Sequence, residues 1–179
     1  MNKLITKIKK QFKKLEKEII ELQNIIHEIQ TIKNGEIIMF WDIENMPVPK
    51  NKDAFELVSL IKDYIRTIYP NYNIIIRCYF EHQNVSENNK ILLNEAGCYL
   101  HSVPNPRKKK ERSDMLIIRD LFDIKENNIV GLISSDGDFL PYLTKLKEKK
   151  IELFVITNNK KYDVFFPNVI PWSELILEL

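Results

Sequence analysis

The sequence predicts an α/β domain in which a parallel sheet carries helices on both faces, preceded by a long separate helix. Two observations carry this. From residue 36 onward, short strand-like apolar runs alternate with segments of helical spacing. Residues 1–33 follow a different rule, a heptad register kept without interruption. The expected organisation is therefore a coiled-coil helix over 1–33 and a globular domain over 36–179.

In the arm, Ile5, Phe12, Ile19 and Ile26 fall at position a, and Ile8, Leu15, Leu22 and Ile29 at position d. A 3.5-residue period keeps such a seam facing one partner, so the arm is expected to pair two copies as a homodimer. The alternative is an amphipathic helix lying on its own domain. Asn34-Gly35 forms a natural stop. The arm's lysines are read first as a solvated face and second as a contact for an anionic surface.

In the domain, residues 36–41 read as a first strand, followed by a loop with Pro47 and Pro49. Residues 53–68 have helical spacing through Leu57, Val58, Ile61 and Ile65, and Pro70-Asn71 ends them. A second strand is expected over 73–80, a helix over 86–96 closed by Gly97, and a third strand over 98–103. Ser113 suits the N-cap of a helix reaching about residue 123. A fourth strand over 128–134, a helix over 139–149, a fifth strand over 151–156 and a short terminal helix complete the alternation. Trp41, Trp172, Tyr79 and Tyr99 are read as packing residues.

Composition narrows the function classes. Hydrophobic residues make up 44% and charged residues 29%, a globular profile. No apolar run approaches the roughly 18 to 20 residues needed to cross a bilayer, and the basic start lacks the apolar core of a signal peptide. Cys78 and Cys98, the two cysteines, lie in apolar stretches and read as buried thiols in a reducing compartment, so a cytoplasmic address is expected. Zinc spacing, a Gly-rich phosphate loop and a Ser/His/Asp arrangement are all missing from the sequence. The net charge of +2 is uneven: residues 1–33 carry eight lysines against four glutamates, and the remainder sums to −2. Within that remainder, Arg107, Lys108, Lys109, Lys110 and Arg112 form one basic cluster. A nucleic-acid binder of so small a net charge would rely on such a local patch to hold phosphates; the alternative is a solvated loop.

Ligands of parallel sheets bind outside the carboxyl ends of the strands. Asp42, Glu44 and Asn45 follow the first strand, Ser134, Ser135, Asp136, Gly137 and Asp138 follow the fourth, and Asp114 opens the helix between. Carboxylates gathered on one rim repel unless a cation compensates them. Hard oxygen ligands favour Mg²⁺ or Mn²⁺, and such a centre suits phosphodiester hydrolysis. Asn45 is expected to orient Asp42 or a water without adding charge. The Ser134 and Ser135 hydroxyls can bond the carboxylates or a phosphate oxygen. Gly137 is expected to allow close backbone approach. Taken singly, Asp114 or Asp138 also reads as an ordinary cap or turn former. Glu44 stands beside the site, as a ligand or as a cap. Glu81 and His82 follow the second strand, with His82 read as an exposed loop residue.

Three segments resemble a known family. Phe40-Trp41-Asp42-Ile43-Glu44-Asn45-Met46-Pro47-Val48-Pro49 is similar to the opening motif of NYN domains, in the branch of the meiosis regulator and mRNA stability factor. Ser113-Asp114 through Asp120 resembles the family's central helix, and Ile133 through Pro141 its third motif. The likeness runs from about residue 36 to 176. It implies a Rossmann-like PIN fold and a Mg²⁺- or Mn²⁺-dependent endoribonuclease acting on single-stranded RNA. Asp42, Asp114, Asp136 and Asp138 would take the metal-site and catalytic roles, with Asn45 in support. Asp120 also matches, but six residues along a helix turn it some 120° from Asp114, so it is expected to face elsewhere. A non-catalytic RNA-binding scaffold and a structure-specific DNA nuclease are the alternatives on the same fold.

Overall fold

The computed structural model describes residues 11–24, 35–103, 113–125 and 127–178. The chain divides into two compact units, residues 1–34 and 35–179. In the first unit, residues 11–24 form helix α1. Its seam positions Phe12, Leu15, Ile19 and Leu22 are all more than half exposed, and Lys14 and Glu18 pair across one turn at 3.6 Å. The remaining heptad positions, Ile5, Ile8, Ile26 and Ile29, lie outside the described residues, as does the Asn34 stop.

The second unit runs β1 (Glu36–Asp42), α2 (Ala54–Ile68), β2 (Asn73–Glu81), α3 (Glu87–Glu95), β3 (Tyr99–Val103) and α4 (Ser113–Phe122). It continues with β4 (Ile129–Ile133), α5 (Leu140–Glu148), β5 (Leu153–Thr157), β6 (Val169–Pro171) and α6 (Trp172–Leu175). The strands form one six-stranded sheet in the order β3-β2-β1-β4-β5-β6, and each paired neighbour is parallel. Five strands are expected from the sequence. The sixth escapes because it is three residues long and ends in Pro171, which cannot donate to a ladder.

Burial explains the runs. From Ile37 onward every residue of β1 is buried, because alternate side chains feed two separate cores. Ile37, Met39 and Trp41 pack with α2, α3 and α6, whereas Ile38 and Phe40 pack with α4 and α5. The result is three layers, helices on either side of the sheet. Trp41 and Trp172 are both buried and meet at 5.9 Å, as expected of packing residues. Tyr79 is buried, but Tyr99 stands on the edge strand β3 and is 61% exposed, which corrects its reading as core.

Helix ends follow local chemistry. Asp53 caps α2 by accepting the Phe55 and Glu56 amides at 2.8 and 3.1 Å, and Ser86 caps α3 through Asn89 N–H. Gly97 closes α3 at φ 77, with its N–H on Asn94 O and that of Cys98 on Leu93 O. The same closure after α5 falls on Lys150 at φ 63, a conformation that favours glycine.

Candidate metal centre

Because β1 lies between β2 and β4, chain direction across the sheet reverses there, and a crevice opens at the carboxyl ends of those strands. Asp42 ends β1 inside this crevice, only 2% exposed. Its carboxylate accepts Asn45 Nδ2 at 2.7 Å, Asn45 N at 3.4 Å and the Ser134 hydroxyl at 2.8 Å. Burial nevertheless pushes the Asp42 carboxyl above its ordinary value, outweighing these hydrogen bonds. Every one of those donors is neutral. The turn that brings Asn45 back is closed by Met46 N–H on Asp42 O, and the Trp41 indole holds Met46 O at 2.7 Å.

A cavity of about 280 Å³ opens over Asp42. Asp114 and Ser113 of α4 and Asp136 of the loop after β4 line it, with Asn45 and Glu44 from the loop after β1. Glu81, the last residue of β2, supplies a further wall. Five carboxylates therefore surround the space, and among the described residues no lysine, arginine or histidine lines it. Asp114 Oδ1 is buried with no hydrogen-bond partner among the described residues. A buried acceptor without a donor is costly unless something else satisfies it. No three His, Cys, Asp or Glu side chains among the described residues are arranged to grip an ion directly. The donor set, its charge and the orphaned Asp114 oxygen still fit Mg²⁺ or Mn²⁺, ions that bind through a few carboxylates while keeping water.

The structure separates the roles of the expected residues. Ser134 is wholly buried; its hydroxyl donates to Asp42 and accepts the Asp136 N–H at 3.1 Å, so it orients the acids and is not free for a phosphate. The Ser135 hydroxyl donates to Met46 Sδ and accepts from Asn158 N–H at 3.3 Å, and neither serine lines the cavity. Asp136 accepts the Asp138 amide at 2.9 Å and so caps the short 3₁₀ turn Gly137–Phe139, leaving Asp138 exposed and outside the cavity wall. A Cβ placed on Gly137 would meet atoms no nearer than 3.7 Å, so close approach does not explain this glycine. Ser113 is the first helical residue, and its hydroxyl donates to Glu44 Oε2 at 2.6 Å. Arg107, Lys108, Lys109, Lys110 and Arg112 lie outside the described residues.

Sequence reasoning missed some supports. Glu44 Oε1 accepts from Asn84, so this one side chain ties the loop after β1 to the turn after β2 and, through Ser113, to α4. The Tyr162 hydroxyl donates to the Asp136 carbonyl, and burial, then the charges of Asp136, Asp42 and Asp138, push its acidity out of reach. Glu81, expected to follow the second strand, is its last residue, and because β2 pairs with β1 in parallel it reaches the same rim. Asp120 does face elsewhere, accepting the Tyr79 hydroxyl at 2.9 Å and the Arg119 guanidinium.

No curated protein matches the chain. Residues 36–166 match the family model described as the NYN domain, a span that takes in β1 to the loop before β6 and the whole acidic cavity. That match covers well over half of the sequence, and with the six-stranded parallel sheet it shows that the chain belongs to the NYN domain family of the PIN-like superfamily, a family of nuclease-type, RNA-related domains.

Proposed function

We propose that this domain is a Mg²⁺- or Mn²⁺-dependent endoribonuclease that hydrolyses phosphodiester bonds in single-stranded RNA. The observation that carries the reading is the cavity at the strand-order reversal, walled by five carboxylates without a described basic residue. Asp42, Asp114 and Asp136 are the residues that would hold the cation; Asp138, exposed and outside the cavity wall, would join them from the loop after β4. When bound, a divalent ion makes water a better nucleophile and offsets charge at the attacked phosphorus.

The chain's own residues supply geometry. Asn45 and Ser134 fix Asp42, Glu44 fixes the start of α4 and therefore Asp114, and Tyr162 fixes the Asp136 backbone. A polyanion approaching five carboxylates needs a counterweight. Arg107, Lys108, Lys109, Lys110 and Arg112 immediately precede Ser113 in the chain, and in this reading they draw RNA phosphates to the rim. Helix α1, with its exposed seam, pairs two copies. The free buried thiols Cys78 and Cys98 accord with a cytoplasmic, reducing setting.

The test is cleavage of end-labelled single-stranded RNA by the full chain with Mn²⁺, Mg²⁺ or EDTA, beside Asp136→Asn and a DNA competitor. Metal-dependent cuts should vanish in the variant and resist competition by DNA. Intact RNA under every metal, from folded protein that still binds RNA, would leave the scaffold alternative standing. DNA cleavage in preference to RNA would leave the DNA nuclease.

A further inference from the structure

The carboxyl rim of the sheet continues past the acidic cavity to a second one of about 300 Å³, close to the lower limit of small-molecule sites. Thr157, Asn158, Asn159 and Lys160, at the end of β5 and in the loop after it, form one wall. Val169 and Pro171 of β6 add an apolar surface, and Asp163, Ser173 and Glu174 complete the rim.

This wall is built, and it is bonded to the segment that carries Asp136. Asn159 Nδ2 donates to Ser135 O at 2.8 Å, and its amide N–H donates to Thr157 Oγ1 at 3.0 Å. Thr157 Oγ1 and Asn158 N–H both reach the Ser135 hydroxyl, at 3.4 and 3.3 Å. On the far side, Asn158 Oδ1 accepts the Ser173 amide at 3.0 Å, which ties the loop to α6. One residue, Ser135, thus stands between the two cavities.

Charge decides the kind of occupant. Asp163 and Glu174 against Lys160 leave a formal −1, so a phosphate is disfavoured. The Asn158 and Asn159 amide oxygens already accept the Ser173 and Lys161 backbone N–H groups. The Asp163 and Glu174 carboxylates beside the apolar wall are therefore the acceptors that suit a planar or cyclic group donating hydrogen bonds. Nucleobase amino and imino groups and ribose hydroxyls have that chemistry. A strand whose phosphate lies in the acidic cavity and which runs along this rim brings a neighbouring nucleoside to the second cavity.

We propose that the second cavity is a nucleoside subsite, which reads the hydrogen-bond-donating edge of an RNA nucleotide flanking the scissile phosphate. The identity of the ligand rests on the nuclease reading; the site itself rests on the cavity's chemistry. A site built to bond a donor rejects the analogue lacking it, which would give cleavage a preference at one flanking position.

Two measurements keep the readings apart. The first is amide chemical shifts of the full chain in EDTA, titrated with adenosine, guanosine, cytidine, uridine and their 2′-deoxy forms. These probes carry no charge, so the acidic cavity does not repel them. One base or the ribose series should shift Asn158, Asn159 and Ser173. Asp163→Asn with Glu174→Gln, both exposed positions, should weaken that binding roughly tenfold. The second is mapping of cut ends in randomised single-stranded RNA with Mn²⁺, where the wild type should favour one flanking residue and the double variant should flatten that preference. Nucleosides that leave those amides unmoved, or bind the double variant equally well, would overturn the subsite even if RNA is cut. Nucleoside binding without any RNA cleavage would instead overturn the nuclease reading and leave the subsite in place.

Discussion

Asp42 and Asp120 are both withdrawn from water, at 2% and 8% exposure, yet their surroundings differ in kind. Asp120 receives a cation from its own chain: Arg119 donates through Nε at 3.0 Å and Nη2 at 2.9 Å, and the Tyr79 hydroxyl adds a third bond. Tyr79 in turn stacks between His101 at 4.7 Å and Phe40 at 5.9 Å. Asp42 receives only neutral donors, and more carboxylates stand around it. The structural carboxylate is compensated from within, whereas the carboxylate of the proposed site is oriented but left to an outside cation. Burial alone therefore does not distinguish a functional acid from a packing one; the charge of its partners does.

That contrast can be broken at several points. Asp42→Asn should lower metal-dependent RNA cleavage roughly thousandfold, as the loss of a group aimed at the reacting centre does. In EDTA the same variant should melt at a higher temperature than wild type at neutral pH. The sign follows from burial: Asp42 holds its proton to a higher pH folded than unfolded, so the folded state binds more protons above pH 3.8. Stability of the metal-free protein should thus decline as pH rises from 3.8 through the raised value. A flat profile matching Asp42→Asn, read by thermal melts in EDTA, would count against it.

Asp120→Ala should do the reverse, costing about 2 kcal/mol by leaving the buried Tyr79 hydroxyl without its acceptor. The exposed Arg119 pair adds little to that figure. Urea denaturation measures it, and cleavage per folded molecule should stay near wild type. Glu44→Ala removes the tie between Asn84 and Ser113, and Mn²⁺ titration calorimetry should show roughly tenfold weaker binding, in line with lost outer support. Smallest of all, Gly137→Ala should change stability by less than about 0.5 kcal/mol, since its Cβ meets only ordinary contacts. A large loss there would restore the close-approach reading.

Much of the site is legible in the chain because its residues sit where periodicity changes. Asp42 to Asn45 and Ser134 to Asp138 follow strands whose apolar runs stop sharply, and parallel topology sends both to one rim. What cannot be read locally is pairing at a distance. The Asp120–Tyr79 bond spans 41 residues, and helical angle could show only that Asp120 points away from Asp114. The Tyr162–Asp136 tie spans 26 residues, and the second cavity needs β6, too short and proline-ended to show as a strand. Asp114 gave a helix-start signal without revealing its orphaned oxygen.

The strand order also has a consequence for the timing of synthesis. β1 is the first strand to be made, but it is central, and one of its neighbours, β4, ends only at Ile133. Glu81, Asp114 and Asp136 arrive one after another, and the crevice cannot close until β4 has slotted beside β1. The hydroxyl that seats Asp42 belongs to Ser134, and the Tyr162 clasp comes later still. A nascent chain therefore lacks the assembled crevice until Ser134 and Asp136 have been added, and its last brace until Tyr162 has followed.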